Sequence, residues 1–235
     1  MRFGVITFPG SNGDHDALKA IELGLKQPVE AVWYRETSLA NFDCILIPGG
    51  FSYGDYLRAG AIARFAPIMD AVAEFAKQGG PILGMCNGFQ VLTEAGLLPG
   101  ALLPNGSLQF RSQWVHVQVE RSDTPWTAGI DDGTVLKLPI AHGGGRYFAD
   151  PETLARLEAN GQVVFRYTDA SGNRAPGANP NGSLNDIAGI CNEQRNIVGL
   201  MPHPERAFDA IIGGDDGIKV LSSVLEAGIA AVAGR

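Results

Sequence analysis

The residues able to do chemistry in this chain gather at two places. The first is Gly84-Met85-Cys86-Asn87-Gly88. Ile82, Leu83 and Met85 read as the buried end of a strand, and Phe89, Val91 and Leu92 have the spacing of a helix that follows at once. Gly-x-nucleophile-x-Gly at such a junction is a nucleophile-elbow pattern, here with cysteine. Side chains at the two glycines would collide where the chain turns back. The turn lifts the sulfur above the sheet edge, at a helix N-terminus whose partial positive charge suits an anionic nucleophile. The N–H of Asn87 can face an oxyanion. Outside such a setting a free cysteine is more often an inert core residue, so the rest of the chain must supply a base.

The second place is Pro202-His203-Pro204-Glu205-Arg206. Pro204 keeps His203 out of the α region and Pro202 restrains the entry to it. The expected geometry is an extended segment at a strand end, with Glu205 two residues on and facing the same side. A carboxylate on one ring nitrogen fixes the tautomer and leaves the other nitrogen for the nucleophile. Cys86, His203 and Glu205 are the expected catalytic triad. Taken alone, His-Pro-Glu also fits a solvated surface turn. His15, at a helix start, and His116, in an alternating strand, compete poorly. His142, in Ala141-His142-Gly143-Gly144-Gly145-Arg146-Tyr147, is the serious rival. Its loop resembles an anion-binding nest but lacks the Gly-Lys-Ser/Thr ending of a P-loop, so no ATP site is expected.

These groups meet only if the fold brings two strand ends together. The chain has 235 residues, 45% hydrophobic and 18% charged, enough for a sizeable core. The net charge is −7 with no basic cluster, so neither nucleic acid nor an anionic membrane is an expected partner. Cys44, Cys86 and Cys191 form neither a disulfide framework nor a metal pattern, and a reducing cytoplasm is the expected location. The first residues do not read as a secretion signal, and no apolar run approaches a membrane span.

Strands are expected at Arg2–Phe8, Val29–Tyr34, Cys44–Ile47 and the segment ending at Cys86. Helices are expected from Asp14, as N-cap, through Leu25, and around 62–77. This alternation predicts an α/β fold: a doubly wound, mostly parallel sheet with helices on both faces. Its ligand crevice lies at the carboxyl ends of the strands, where Cys86 and the Pro48–Asp55 loop would sit. From Pro99 to Tyr147 the pattern changes. Leu102–Ser107 is loop-like, and Trp114–Val119 and Val135–Leu138 read as a small antiparallel excursion. A helix begins at Asp150-Pro151, Val163–Tyr167 is a strand, and 171–183 is loop. Ile187–Cys191 and Ile197–Met201 form a hairpin, and a last helix runs from Gly217 to about Val232. With no repeat or linker, one domain spans 1–235.

Cys-x-Gly-x-Gln at Cys86–Gln90, with Pro-His-Pro-Glu at Pro202–Glu205, resembles class I glutamine amidotransferases. Phe8–Asn12, the long run Gly49–Ala61, Asn179–Ser183 and Met201–Arg206 narrow the likeness to the glutaminase subunits of phosphoribosylformylglycinamidine synthase, across nearly the whole chain. That resemblance implies a flavodoxin-like fold with Cys86 attacking glutamine, His203 protonating the ammonia released, and a thioester hydrolysed by water. Backbone N–H groups of Gly50 and Asn87 would form the oxyanion hole. Gln90 would line the glutamine pocket, and Asn105, Ser107 and Phe110 would hold the amino-acid end. The resemblance also implies partners: a large synthetase subunit, which would carry ATP and Mg, and a third small subunit. The 142–146 loop is assigned to partner contact through His142 and Arg146, although Gly144 stands where these glutaminases usually have Glu. Gly13 stands where they often have Cys. The rival functions are a stand-alone cysteine hydrolase on the same fold and a non-catalytic scaffold.

Overall fold

A computed structural model describes residues 1–233; residues 234 and 235 lie outside the described part of the expected domain. In chain order the strands are β1 (Phe3–Thr7), β2 (Val29–Trp33), β3 (Cys44–Ile47), β4 (Ile82–Met85), β5 (Ala101–Leu103), β6 (Arg111–Val119), β7 (Val135–His142), β8 (Arg146–Phe148), β9 (Val163–Thr168), β10 (Ile187–Cys191) and β11 (Ile197–Leu200). The helices are α1 (Asp14–Lys19), α2 (Ile68–Lys77), α3 (Asn87–Glu94), α4 (Pro151–Ala159) and α5 (Asp216–Ala233).

Nine strands form one sheet in the order β2-β1-β3-β4-β11-β10-β9-β6-β7. From β2 to β11 neighbours run parallel; from β11 to β7 they run antiparallel. Strands β3, β4 and β11 are buried along their whole length, as parallel strands covered on both faces must be. Side-chain alternation divides the core. Val5, Leu46, Leu83 and Leu200 join Ala17 of α1, Ile21 of the π-helical turns that continue it (Ala20–Leu25), and Val220 and Leu221 of α5. Ile6, Ile45, Ile47 and Ile82 face Ile68 and Val72 of α2 and Phe89 of α3.

Register places the functional loops. Leu200 pairs with Met85, and Ile47 pairs with Gly84. The ends of β3, β4 and β11 are therefore nearly level, and the segments after them (Gly49-Gly50, Cys86 and His203) leave the sheet at one edge. Cys86 N–H donates to the Leu200 carbonyl at 2.8 Å, and His203 N–H donates to Pro139 O at 2.8 Å.

Several local expectations differ in detail. Asp14 is the first helical residue and not the cap; Gly13 occupies the N-cap without a side-chain bond. The expected 62–77 helix is two pieces, because Pro67 forces Ala66 extended (ψ 143°) between a short 3-10 turn at Ala63–Phe65 and α2. Leu102 and Leu103, at the start of the expected 102–107 loop, belong to β5, which pairs with β8 in a separate two-stranded ribbon. The 187–201 hairpin forms as its turn residues predict.

Candidate active site

Cys86 sits between β4 and α3 with φ 51° and ψ −103°, outside the regions that side-chain-bearing residues favour. The flanking glycines explain how the turn is tolerated. A Cβ on Gly84 would lie 2.8 Å from the Gly88 carbonyl group, and one on Gly88 would overlap the carbonyl oxygen of Ile47. The thiol is almost wholly covered, and Sγ rests 3.7 Å from the Ala141 carbonyl.

His203 and Glu205 are each only 1% exposed. Nδ1 of the imidazole lies 2.6 Å from Oε1 of the carboxylate. His203 itself is extended (φ −108°, ψ 86°), as Pro204 requires, but Glu205 belongs to a 3-10 turn over Pro204–Arg206. The carboxylate thus reaches the ring by folding back beneath it and not by strand alternation. That turn is tied to α1 by Arg206 Nε, which donates to Asp16 Oδ2 at 2.9 Å. Gly49 makes room for the imidazole: a Cβ there would come within 2.6 Å of His203 Cε1 and 3.5 Å of Cys86 Cβ. Burial works against protonation of His203. The negative charges of Glu205 and Cys86, with the Glu205 hydrogen bond, outweigh it and push the imidazole up to about 10. His203 Nε2 and Glu205 Oε2 are buried with no partner among the described residues.

Gly50 follows, with φ 142°. A Cβ there would meet Asn12 N at 2.7 Å and Ser11 Cα at 2.8 Å, so only glycine lets this loop lie against the one after β1. Phe51 N–H donates to Gly10 O at 2.9 Å and Gly13 N–H to Gly49 O at 3.1 Å. Asn87 opens α3, so its N–H has no carbonyl partner within the helix. Its side chain accepts from Ser52 N–H at 3.1 Å and donates to Gln90 Oε1 at 2.8 Å. Gln90 Nε2 then donates to Gly144 O at 2.7 Å. Gln90 lines the cavity, but both ends of its amide are engaged by the chain.

Asn105 is fully buried. Its Nδ2 donates to Gln109 O and His142 O, both at 2.9 Å, while Oδ1 receives Gly145 N–H at 2.9 Å and faces His142 Nδ1 at 3.0 Å. An amide oxygen only accepts, so His142 carries its proton on Nδ1, and Nε2 is left as an acceptor without a partner among the described residues. Asn105 therefore organises the 142–145 loop and has no free atom for a substrate. Ser107 is exposed and outside the cavity lining, whereas Phe110, 54% exposed, lines it. His142 is only 3% exposed and cannot be a surface contact; burial and the nearby His203 charge lower it to about 4. Arg146 is half-buried.

A cavity of about 360 Å³ opens beside Cys86, lined also by Gly50, Asp55, Arg58, Gln90 and His142. A second of about 200 Å³ shares Gly50, Phe51, Phe110 and Ala141 with it and reaches His203. A larger groove of about 460 Å³, between Thr37–Phe42 and α2, holds neither cysteine nor histidine and lies apart. Sequence reasoning assigned no role to Asp55 or Ala141. Asp55 was visible inside the Gly49–Ala61 run, but nothing local tied it to Cys86.

Fold and site define a class: a doubly wound sheet presenting a cysteine elbow and a buried His–carboxylate pair on neighbouring strand ends. The chain belongs to the CobB/CobQ-like glutamine amidotransferase domain family, whose model matches residues 1–213. It is 66% identical over 229 residues to phosphoribosylformylglycinamidine synthase subunit PurQ of Thermomicrobium roseum, covering 97% of each chain. It is 56% identical over 226 residues to the subunit of that name from Moorella thermoacetica, covering 96% of each. Among solved structures it matches a chain of PurLQS from Thermotoga maritima with TM-score 0.83 and 44% identity, covering 96% of this chain and 97% of that one.

Proposed function

We propose that the chain is the glutamine-hydrolysing subunit of a phosphoribosylformylglycinamidine synthase. Cys86 Sγ, having passed its proton to His203, attacks the side-chain carboxamide carbon of glutamine. The N–H groups of Gly50 and Asn87 hold the resulting oxyanion. His203, aligned by Glu205, gives its proton to the departing ammonia, and a glutamyl thioester remains on Cys86. Water, losing a proton to His203, then attacks the thioester, releases glutamate and restores the thiol. Gln90 acts as a wall of the pocket, holding Gly144 in place.

The observation that carries this reading is the 2.6 Å His203–Glu205 pair beside a backbone-strained Cys86. The 66% identity along 97% of the chain supports the particular synthase and disfavours a stand-alone hydrolase. The ammonia passes to a large synthetase subunit, which uses ATP and Mg to turn the formamide FGAR into the amidine FGAM in purine biosynthesis. A third small subunit completes the assembly. One domain over 1–235 carries the glutaminase. The proposal includes a cytoplasmic location, where cysteines such as Cys44, Cys86 and Cys191 stay reduced.

Labelling with an electrophilic glutamine analogue, followed by peptide mapping, tests it. The label is expected on Cys86, faster with the partner present. A Cys86→Ala complex is expected to use free ammonia but not glutamine. Label on another residue, or glutamine use by that variant, would overturn the proposal.

A further inference from the structure

Among the described residues, the cavity beside Cys86 is lined by one acid and one base. The base, Arg58, is already held by Glu94, with Nε and Nη2 donating at 2.6 and 2.7 Å. The acid, Asp55, has no such counterpart. Its Oδ1 is buried and has no hydrogen-bond partner among the described residues. Burial pushes its carboxyl up, with no opposing charge or donor to bring it back. Nor does His142, the other polar side chain there without a partner, offer a charge; burial keeps it neutral.

The backbone holds Asp55 in this position against its preference. Tyr53, Asp55 and Leu57 have φ of 53°, 54° and 68°, left-handed conformations for residues that carry a side chain. Such strain persists only where the surroundings enforce it, and it clusters at ligand sites. Here Ser52 N–H on Asn87 and Gly54 N–H on Phe51 O at 2.7 Å pin the loop. The loop therefore places this carboxylate in the wall of the cavity, its Oδ1 covered and without a donor among the described residues. A buried charged acceptor in that state calls for a cationic ligand group.

We infer that Asp55 receives the α-ammonium group of glutamine and is the residue that distinguishes the free amino acid from other carboxamides. The assignment rests on reading this cavity as the glutamine site. Cys86 needs the carboxamide carbon at one place in the cavity, and a short aliphatic chain links that carbon to the ammonium. A site built around a substrate N–H rejects the analogue that lacks it, because its own buried acceptor is left unpaired.

The test compares glutamine with glutaramate, which is glutamine without its α-amino group, in the assembled synthase. Asp55→Asn keeps the side chain's shape and removes its charge. Its KM for glutamine is expected to rise roughly 10- to 100-fold with kcat little changed. Hydrolysis of glutaramate by the same variant is expected to match the unsubstituted complex, which also shows that the variant is folded. An unchanged KM for glutamine, or equal losses on both substrates, would overturn the assignment. An unsubstituted complex that releases no glutamate from glutamine would instead overturn the functional reading beneath it.

Discussion

Glu205 Oε1 lies 2.6 Å from His203 Nδ1 with both side chains shut away from water. The carboxylate's charge is a leading reason that the imidazole keeps its proton up to about 10 despite burial. Glu205→Gln removes that charge. The alkaline limb of kcat/KM for glutamine is then expected to move to lower pH, with a loss of roughly 100-fold or more at neutral pH. A pH–rate profile of the assembled complex checks this; an unmoved limb would count against Glu205 as the orienting group.

The two buried histidines act oppositely on stability. The folded pKa of His203 is raised, so its contribution is present below about 6.5 and lost as pH rises through about 10. That of His142 is lowered, so stability is lost as pH falls from 6.5 toward 4 while the unfolded chain takes up a proton. His142→Gln is expected to flatten the acid side of the stability curve by roughly 1.4 kcal/mol per pH unit. Urea unfolding across that window measures the slope, which would stay the same if His142 were not the group responsible.

Strain at Cys86 predicts an inverted order of variants. Glycine normally destabilises relative to alanine, but φ 51° with ψ −103° favours the residue without a Cβ. Cys86→Gly is expected to be more stable than Cys86→Ala by about 1 kcal/mol, or roughly 2–4 °C in Tm, with both inactive. Calorimetry on the two variants decides it.

Gly88 is expected to tolerate nothing larger. An alanine there would drive its methyl into the Ile47 carbonyl at the end of β3. The cost is about 3 kcal/mol or more, because two buried backbone segments must separate. Denaturant titration of Gly88→Ala should give a large fall in midpoint, and a near-native midpoint would show that α3 can shift away from β3.

Much of the site was legible because its signals are local. The glycines around Cys86 and the prolines around His203 are steric instructions that act within a few residues. Pro67 carried an equally local message, a break before α2, which helical periodicity alone concealed. Glu205 was correctly paired with His203 from proximity in sequence, yet the path was a 3-10 turn and not an extended strand. Asn105 was harder. Its bonds to His142 and Gly145 span 37 and 40 residues, and no pattern near residue 105 announces them.

Local sterics and hydrophobic periodicity along the chain were enough to specify an α/β sheet, a cysteine elbow and an imidazole with its acid. They act through neighbours a few bonds away and survive without knowledge of the fold. Which strand ends stand level, how Gln90 and Asn105 are used up in building the 142–145 loop, and that Asp55 faces Cys86's cavity depend on pairings between distant segments. Those follow from the register of β3, β4 and β11 and the closure of long loops, where the free energy belongs to the assembled core and to no single stretch.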